Sequence, residues 1–254
     1  MASVGKTGIV RYEETLAVNN IGTGLIGLDG GTNAATGVAW LQSLDTGGAS
    51  FTRSMSETKG LHLAGSLDSS DGDLAEFCGD QIMFYGQVGH QAVEVMLQVD
   101  QASSMVINFG LNDEITDSSN DIPVTLSTST WLSTATSFIG LVKDFDAAND
   151  EFHCFWVDDG NDATVPLDKL RMKGLEFVKD KWCWMRVETQ DQGSGRPLVA
   201  TFEVVQDGKH VAKEFVTSLD RDAALCWYLG IANRAGIARG VFLKLPAWEQ
   251  GIAD

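Results

Sequence analysis

Trp182-Cys183-Trp184-Met185-Arg186-Val187-Glu188 is the stretch whose reading decides the fold. Its even positions hold Trp182, Trp184, Arg186 and Glu188, and its odd positions hold Cys183, Met185 and Val187. A period of two is a strand, and the odd set is its core face. Downstream, Leu198 to Val205 and His210 to Phe215 are two more strand-like runs, joined by Gln206-Asp207-Gly208-Lys209. Asp-Gly between two such runs is the strongest short-range signal for a hairpin. Upstream, Val93, Val95, Leu97 and Val99 alternate in the same way, and Met105 to Leu111 is a continuous apolar run, as in a central strand. Phe138 to Val142 and Glu151 to Val157 flank an acidic turn, Asp144 to Asp150, and predict another hairpin. Gly60 to Gly65, Gln81 to Tyr85, Trp227 to Asn233 and Gly240 to Leu245 complete the strand candidates. The best helical candidate is Asp168 to Val178, interrupted by Gly174.

Many short strands separated by Gly/Asp turns predict an all-β chain, an antiparallel β-sandwich. No internal repeat and no linker divides the 254 residues, so the expectation is one domain over 21–254. A chain of that length buries roughly 70–75% of its unfolded surface and needs no staples. Residues 1–20 show no sustained period and read as an extended N-terminal arm, free or clamped on a neighbour.

Charge narrows the partners. Eighteen Lys and Arg stand against 35 Asp and Glu, a formal net charge of −17, and the basic residues do not cluster. Nucleic acid and anionic membranes are recognised mostly by cations, so neither is an expected partner. Strong negative charge suits a protein kept soluble at high copy number or seated on a basic surface. No run approaches the ~18 apolar residues of a membrane span. Met1-Ala2-Ser3-Val4-Gly5-Lys6 lacks the apolar core of a secretory signal, and cytosol-like conditions are expected. Cys78, Cys154, Cys183 and Cys226 are widely spaced in apolar settings and read as buried, reduced thiols rather than metal or redox ligands.

The search for chemistry returns absences. Gly22-Thr23-Gly24-Leu25-Ile26-Gly27 matches a dinucleotide fingerprint, but Asn19-Asn20 before it and Asp29-Gly30-Gly31 after it offer no strand-to-helix context. Asp144, Asp146, Asn149, Asp150 and Glu151 lack the glycine and spacing of a calcium loop and read as a solvated turn, as do Asp158, Asp159, Asn161 and Asp162. The four histidines show no metal-ligand spacing, and His153 reads as structural. Sandwich glycosidases set two acids on one strand face; Glu94 is followed by Asp100 only six residues on, about 20 Å along a strand. No catalytic residue, cofactor or metal is therefore assigned, and a non-enzyme is expected. Trp182 and Trp184 share one strand face, which suggests stacking or an interface, with packing between two sheets as the alternative.

From about Asp100 onward the order of pieces resembles a family of phage virion structural proteins. The resemblance rests on Phe109 to Glu114, Phe138 to Ala147, Phe155-Trp156-Val157 and Lys181 to Glu188. The Phe202 to Val211 hairpin, Ile231 to Ala235 and Leu243 to Trp248 also carry it. The chain departs from that family in the polar stretch Asn112 to Thr130 and in its cysteines. The resemblance implies a concanavalin A/laminin-G-like jelly roll without a fixed active site, in the virion, made in the host cytoplasm. It implies an outer capsid decoration (cement) protein bridging subunits of the major capsid protein, itself a dimer or trimer. The alternative on the same fold is a carbohydrate-binding, lectin-like domain of a phage head or tail fibre that meets surface glycans. Interface residues expected on these readings are Arg11, Tyr12 and Glu13 in the arm, with Trp182 and Trp184.

Overall fold

Cys183, Met185 and Val187 are fully buried, whereas Trp182, Trp184, Arg186 and Glu188 are half-buried on the opposite side. The alternation is thus a strand laid on a core, and the rest of the chain repeats the pattern. The structure, a computed structural model, describes residues 2–4, 9–13, 26–28, 40–44, 49–79, 84–113 and 122–251. Its strands in chain order begin β1 (Ala2–Val4), β2 (Ile9–Glu13), β3 (Ile26–Leu28), β4 (Trp40–Leu44), β5 (Ala49–Ser56), β6 (Gly60–Leu67) and β7 (Leu74–Gly79). There follow β8 (Phe84–Tyr85), β9 (His90–Val99), β10 (Met105–Asn112), β11 (Val124–Ser127), β12 (Thr130–Ser133), β13 (Phe138–Asp144) and β14 (Glu151–Asp158). The last are β15 (Asn161–Asp162), β16 (Arg171–Glu176), β17 (Cys183–Gln190), β18 (Val199–Gln206), β19 (Lys209–Val216), β20 (Ala224–Asn233) and β21 (Arg239–Gly251).

Among the described residues these strands build two large sheets. The first runs β1-β2-β21-β9-β17-β18-β19, with β6 also on β21 and β5 on β6. The second runs β15-β14-β13-β10-β20-β7-β4-β3, with β16 on β14 and β8 on β20. Val93, Val95 and Leu97 of the first sheet, with Phe202 and Val204, bury against Phe109, Leu141, Cys154 and Trp227 of the second. Trp227 meets Phe77 and Phe109 edge to face, with centroids at 5.7 and 5.5 Å, the arrangement ring quadrupoles favour. All four cysteines are buried, as expected.

The Asp207-Gly208 turn joins β18 to β19 with both residues at positive φ (50° and 78°), the twist that a two-residue hairpin requires. A helix over Asp168 to Val178 does not form. One turn, α1 (Leu167–Leu170), gives way to β16. Gly174 has φ +83°, and the Glu151 carboxylate accepts from its N–H at 2.7 Å and from Arg171 Nε at 2.7 Å, which pins the segment to β14. The arm expected over residues 1–20 is strand where it is described: β1 pairs β2, and β2 pairs the end of β21.

The two outer faces differ. That of the second sheet is roofed by the β11–β12 hairpin, whose Val124 exchanges hydrogen bonds of 2.8 and 2.9 Å with the Asn108 amide. Trp131 of this hairpin stacks on Phe155 at 3.9 Å and meets His153 edge-on at 5.7 Å. The stretch read as a polar loop is therefore partly a packed lid. Asp144, expected in a solvated turn, is fully buried; it accepts from Leu126 N–H at 2.8 Å and pairs with Arg234 at 2.7 Å. The neighbouring Asp146 and Asp150 remain exposed.

Candidate functional site

The outer face of the first sheet carries the polar chemistry. Side chains on β9 and β17 alternate, so Met96 lies across from Trp184, Glu94 across from Arg186, and Ala92 across from Glu188. On the other side of β9, Lys244 opposes Met96, Ala247 opposes Glu94, and Glu249 opposes Ala92. That last alignment depends on a bulge. Between Lys244 and Ala247 β21 has one residue more than β9, and Pro246, with no N–H to donate, sits there. The extra residue reverses the alternation, placing Glu249 on the same face as Lys244 and Phe242.

The outcome is a network of six groups from four strands. Arg11 Nη1 and Nη2 donate to the two Glu94 oxygens at 3.0 and 3.2 Å, and Nη1 also meets Glu249. Arg186 donates to Glu94, to Glu188 at 2.8 Å and to Glu249 at 3.2 Å. His90 completes the set, with Nδ1 at 3.3 Å from Glu188 and Nε2 at 3.2 Å from Glu249. The hydrogen bond to His90, with Arg186, holds the Glu188 carboxyl down at about 2 despite partial burial. Burial pushes Glu249 up, but Arg11, His90 and Arg186 outweigh it and lower its pKa. Both Arg11, mainly through Glu94, and His90, mainly through Glu188, are raised. Burial pulls Arg186 down, but its three carboxylates outweigh that and raise it.

Beside the network lies an aromatic segment. Trp184 stands two residues before Arg186 on β17, and Trp182, just ahead of the strand, has the Lys244 ammonium 4.3 Å from its ring centroid. Of the residues expected at an interface, Arg11, Trp182 and Trp184 thus lie on one face. Tyr12 and Glu13 pair in register with Trp248 and Ala247 on β21. A search for acids along one strand reaches Glu94 but not His90, Arg186, Glu188 or Glu249, because here the groups meet across strands. The available signal was an isolated charge at an outward position of an apolar strand: Glu94 between Val93 and Val95, and Arg186 between Met185 and Val187. At one end of the sandwich a separate open cavity of about 490 Å³ is lined by Gln87, Asp158, Arg196, Ser218, Asp220 and Asp222, among others, with no aromatic side chain.

Comparison with solved structures shows what this architecture is. A Shewanella oneidensis MR-1 protein of unknown function, SO2946, superposes with a TM-score of 0.57 at 9% identity, over 100% of this chain and 91% of its own. Peanut lectin, solved with a nine-residue peptide, superposes with a TM-score of 0.53 at 9% identity, over 95% of this chain and 97% of its own. The fold is a legume-lectin-like jelly roll. No protein-family model and no curated protein matches the sequence.

Proposed function

We propose that this chain is a non-enzymatic, lectin-like carbohydrate-binding domain whose ligand lies along the outer face of the first sheet. One observation carries the reading: two half-buried tryptophans share that face with a row of carboxylates and guanidinium groups held in place by one another. Sugars present flat C–H faces that pack on aromatic rings, and hydroxyls that donate to carboxylates and accept from guanidinium N–H groups. Groups already ordered by ion pairs lose little freedom when a ligand arrives. From His90 to Gln98 the face runs about 26 Å at strand rise, room for several sugar residues. Binding is favoured over hydrolysis because Glu188 and Glu249 are both held toward the charged form, whereas a general acid must keep its proton near neutral pH.

The test is a glycan array followed by calorimetric titration of the best ligands. Trp184→Ala is expected to weaken binding tenfold or more while leaving the unfolding transition cooperative. A folded wild-type protein that retains no glycan would end this reading.

A second reading is the one that the resemblance to phage virion proteins implies. On that reading the domain decorates a capsid, as a dimer or trimer on the major capsid protein, and its negative charge meets a basic shell. Copies at fixed sites on purified particles are the expected result; shells that sediment without the protein would remove it.

A further inference from the structure

The outer face of the first sheet treats its cations in two ways. In the six-group network both arginines are locked to carboxylates. Further along, past Trp184, two ammonium groups have no such partner. Lys244 on β21 lies over Trp182, and Lys59, in the turn between β5 and β6, lies 4.3 Å from the ring centroid of Phe242. Among the described residues neither ammonium has a carboxylate within ion-pairing distance, although the chain carries 35 acidic residues against 18 basic ones. Nearby acids are engaged elsewhere or exposed. Asp100 accepts from the Gly240 N–H at 2.9 Å, Asp207 lies 3.6 Å from Lys181, and Glu57 stands exposed in the same turn as Lys59.

These two lysines are neighbours by construction. Phe242 and Lys244 are two apart on β21 and so share a face. A side chain added at Gly60, next to Lys59, would begin 3.7 Å from Lys244 Nζ. The turn itself is fixed: Lys59 N–H donates to Ser56 Oγ at 3.0 Å. Buried His62 has Nδ1 2.7 Å from the Gly60 carbonyl, an acceptor, so that nitrogen carries the proton; its ring packs edge-on to Phe242 at 5.6 Å.

Resting on the carbohydrate-binding reading, we propose that Lys59 and Lys244 form an anion subsite at the end of this face, and that the ligand is an acidic saccharide. A uronate carboxylate or a sulfate bridges the two ammonium groups, while the adjoining sugar lies toward Trp184. Partial burial already lowers the pKa of Lys244, so an arriving anion relieves an unpaired, partly desolvated charge. Duplex DNA matches the charge of an acidic polysaccharide but offers no exposed sugar face to Trp184, so the two lysines alone would have to hold it.

The probes are polygalacturonate, heparin and dextran, titrated into wild type, K59A/K244A, K59R/K244R and Trp184→Ala, with duplex DNA as a comparison. We expect polygalacturonate or heparin to bind at least tenfold tighter than dextran, and K59A/K244A to lose that advantage. K59R/K244R should retain it, and added salt should erode it. Dextran bound as tightly as the acidic chains, unchanged in K59A/K244A but lost in Trp184→Ala, would overturn the anion subsite and leave the carbohydrate-binding reading standing. Duplex DNA bound as tightly as the acidic polysaccharides would overturn the saccharide assignment. Failure of all three polysaccharides to bind folded wild type would overturn both proposals.

Discussion

Replacing Arg239 by Ala is expected to lower the stability of this domain by about 3–5 kcal/mol, the largest effect we anticipate for a single polar side chain. Arg239 opens β21 and is 2% exposed. Its guanidinium donates to the Asn233 Oδ1 at 2.5 Å, to the carbonyls of Gln101 and Ser103 at 2.9 Å each, and to that of Ser104 at 3.0 Å. These acceptors lie at the end of β20 and in the connection from β9 to β10, so one side chain ties the crossing between the two sheets. Burial lowers its pKa and Asp100 only partly offsets this, so the charge stays because four acceptors hold it. Truncation strands the Asn233 amide oxygen and the Gln101 and Ser103 carbonyls, while Ser104 keeps the Arg234 N–H at 2.8 Å, and each unsatisfied buried group costs about 1–3 kcal/mol. Urea titration should show a lower midpoint with an unchanged slope, and the melting temperature should drop by roughly 10 °C. Arg239→Lys should recover part of the loss, since one ammonium reaches some of the carbonyls. Lys181→Ala, which removes only an exposed ion pair, should leave the transition where it was. A midpoint for Arg239→Ala equal to that of wild type would show that water satisfies those carbonyls.

Arg239 also illustrates what was legible in the sequence and what was not. Strands announced themselves wherever one face is core, as at 182–188 and 93–99, because burial imposes a period of two on apolar residues. The Asp207-Gly208 hairpin was legible because its backbone conformation restricts the residues that fit. The β16 segment offers a helical candidate that only Gly174 weakens, since its strand state depends on Glu151, a residue 20 positions before Arg171 whose carboxylate accepts from both Arg171 and Gly174. The charged network lay further out of reach. Arg11 and Glu249 meet across 238 positions, and the pairing of Glu249 with its neighbours requires the bulge at Leu245-Pro246 to reverse the alternation of β21. Counting along the sequence without that extra residue puts Glu249 in the core. Parity within a strand is written locally, but register and bulges between strands are set by the whole sandwich.

Two histidines should give the domain a stability maximum near pH 6.5, each governing one limb. His90 is held between Glu188 and Glu249, with a carboxylate facing each ring nitrogen. A neutral imidazole has only one N–H, so only the imidazolium satisfies both, in accord with its raised pKa. Its contribution is complete below the unfolded value of 6.5 and is lost as pH rises through the folded value. His153 is the opposite case. It is 1% exposed beneath Trp131, where among the described residues neither ring nitrogen has a partner within hydrogen-bonding geometry, and burial, with Arg171 second, lowers it to about 4. Below pH 6.5 the unfolded chain accepts a proton there that the folded chain refuses until about 4, so stability falls as pH falls across that window. The difference approaches about 3 kcal/mol at the acid end. Glu188, lowered from 4.5 to about 2, extends the loss below pH 4.5. Urea unfolding at a series of pH values should therefore show His153→Phe flattening the limb between 6.5 and 4, and His90→Gln flattening the limb above 6.5. A His153→Phe profile parallel to wild type through pH 5 would mean that the β11–β12 lid admits water or opens to let the ring charge. A His90→Gln profile parallel to wild type above pH 6.5 would mean that the two glutamates are held by Arg11 and Arg186 alone.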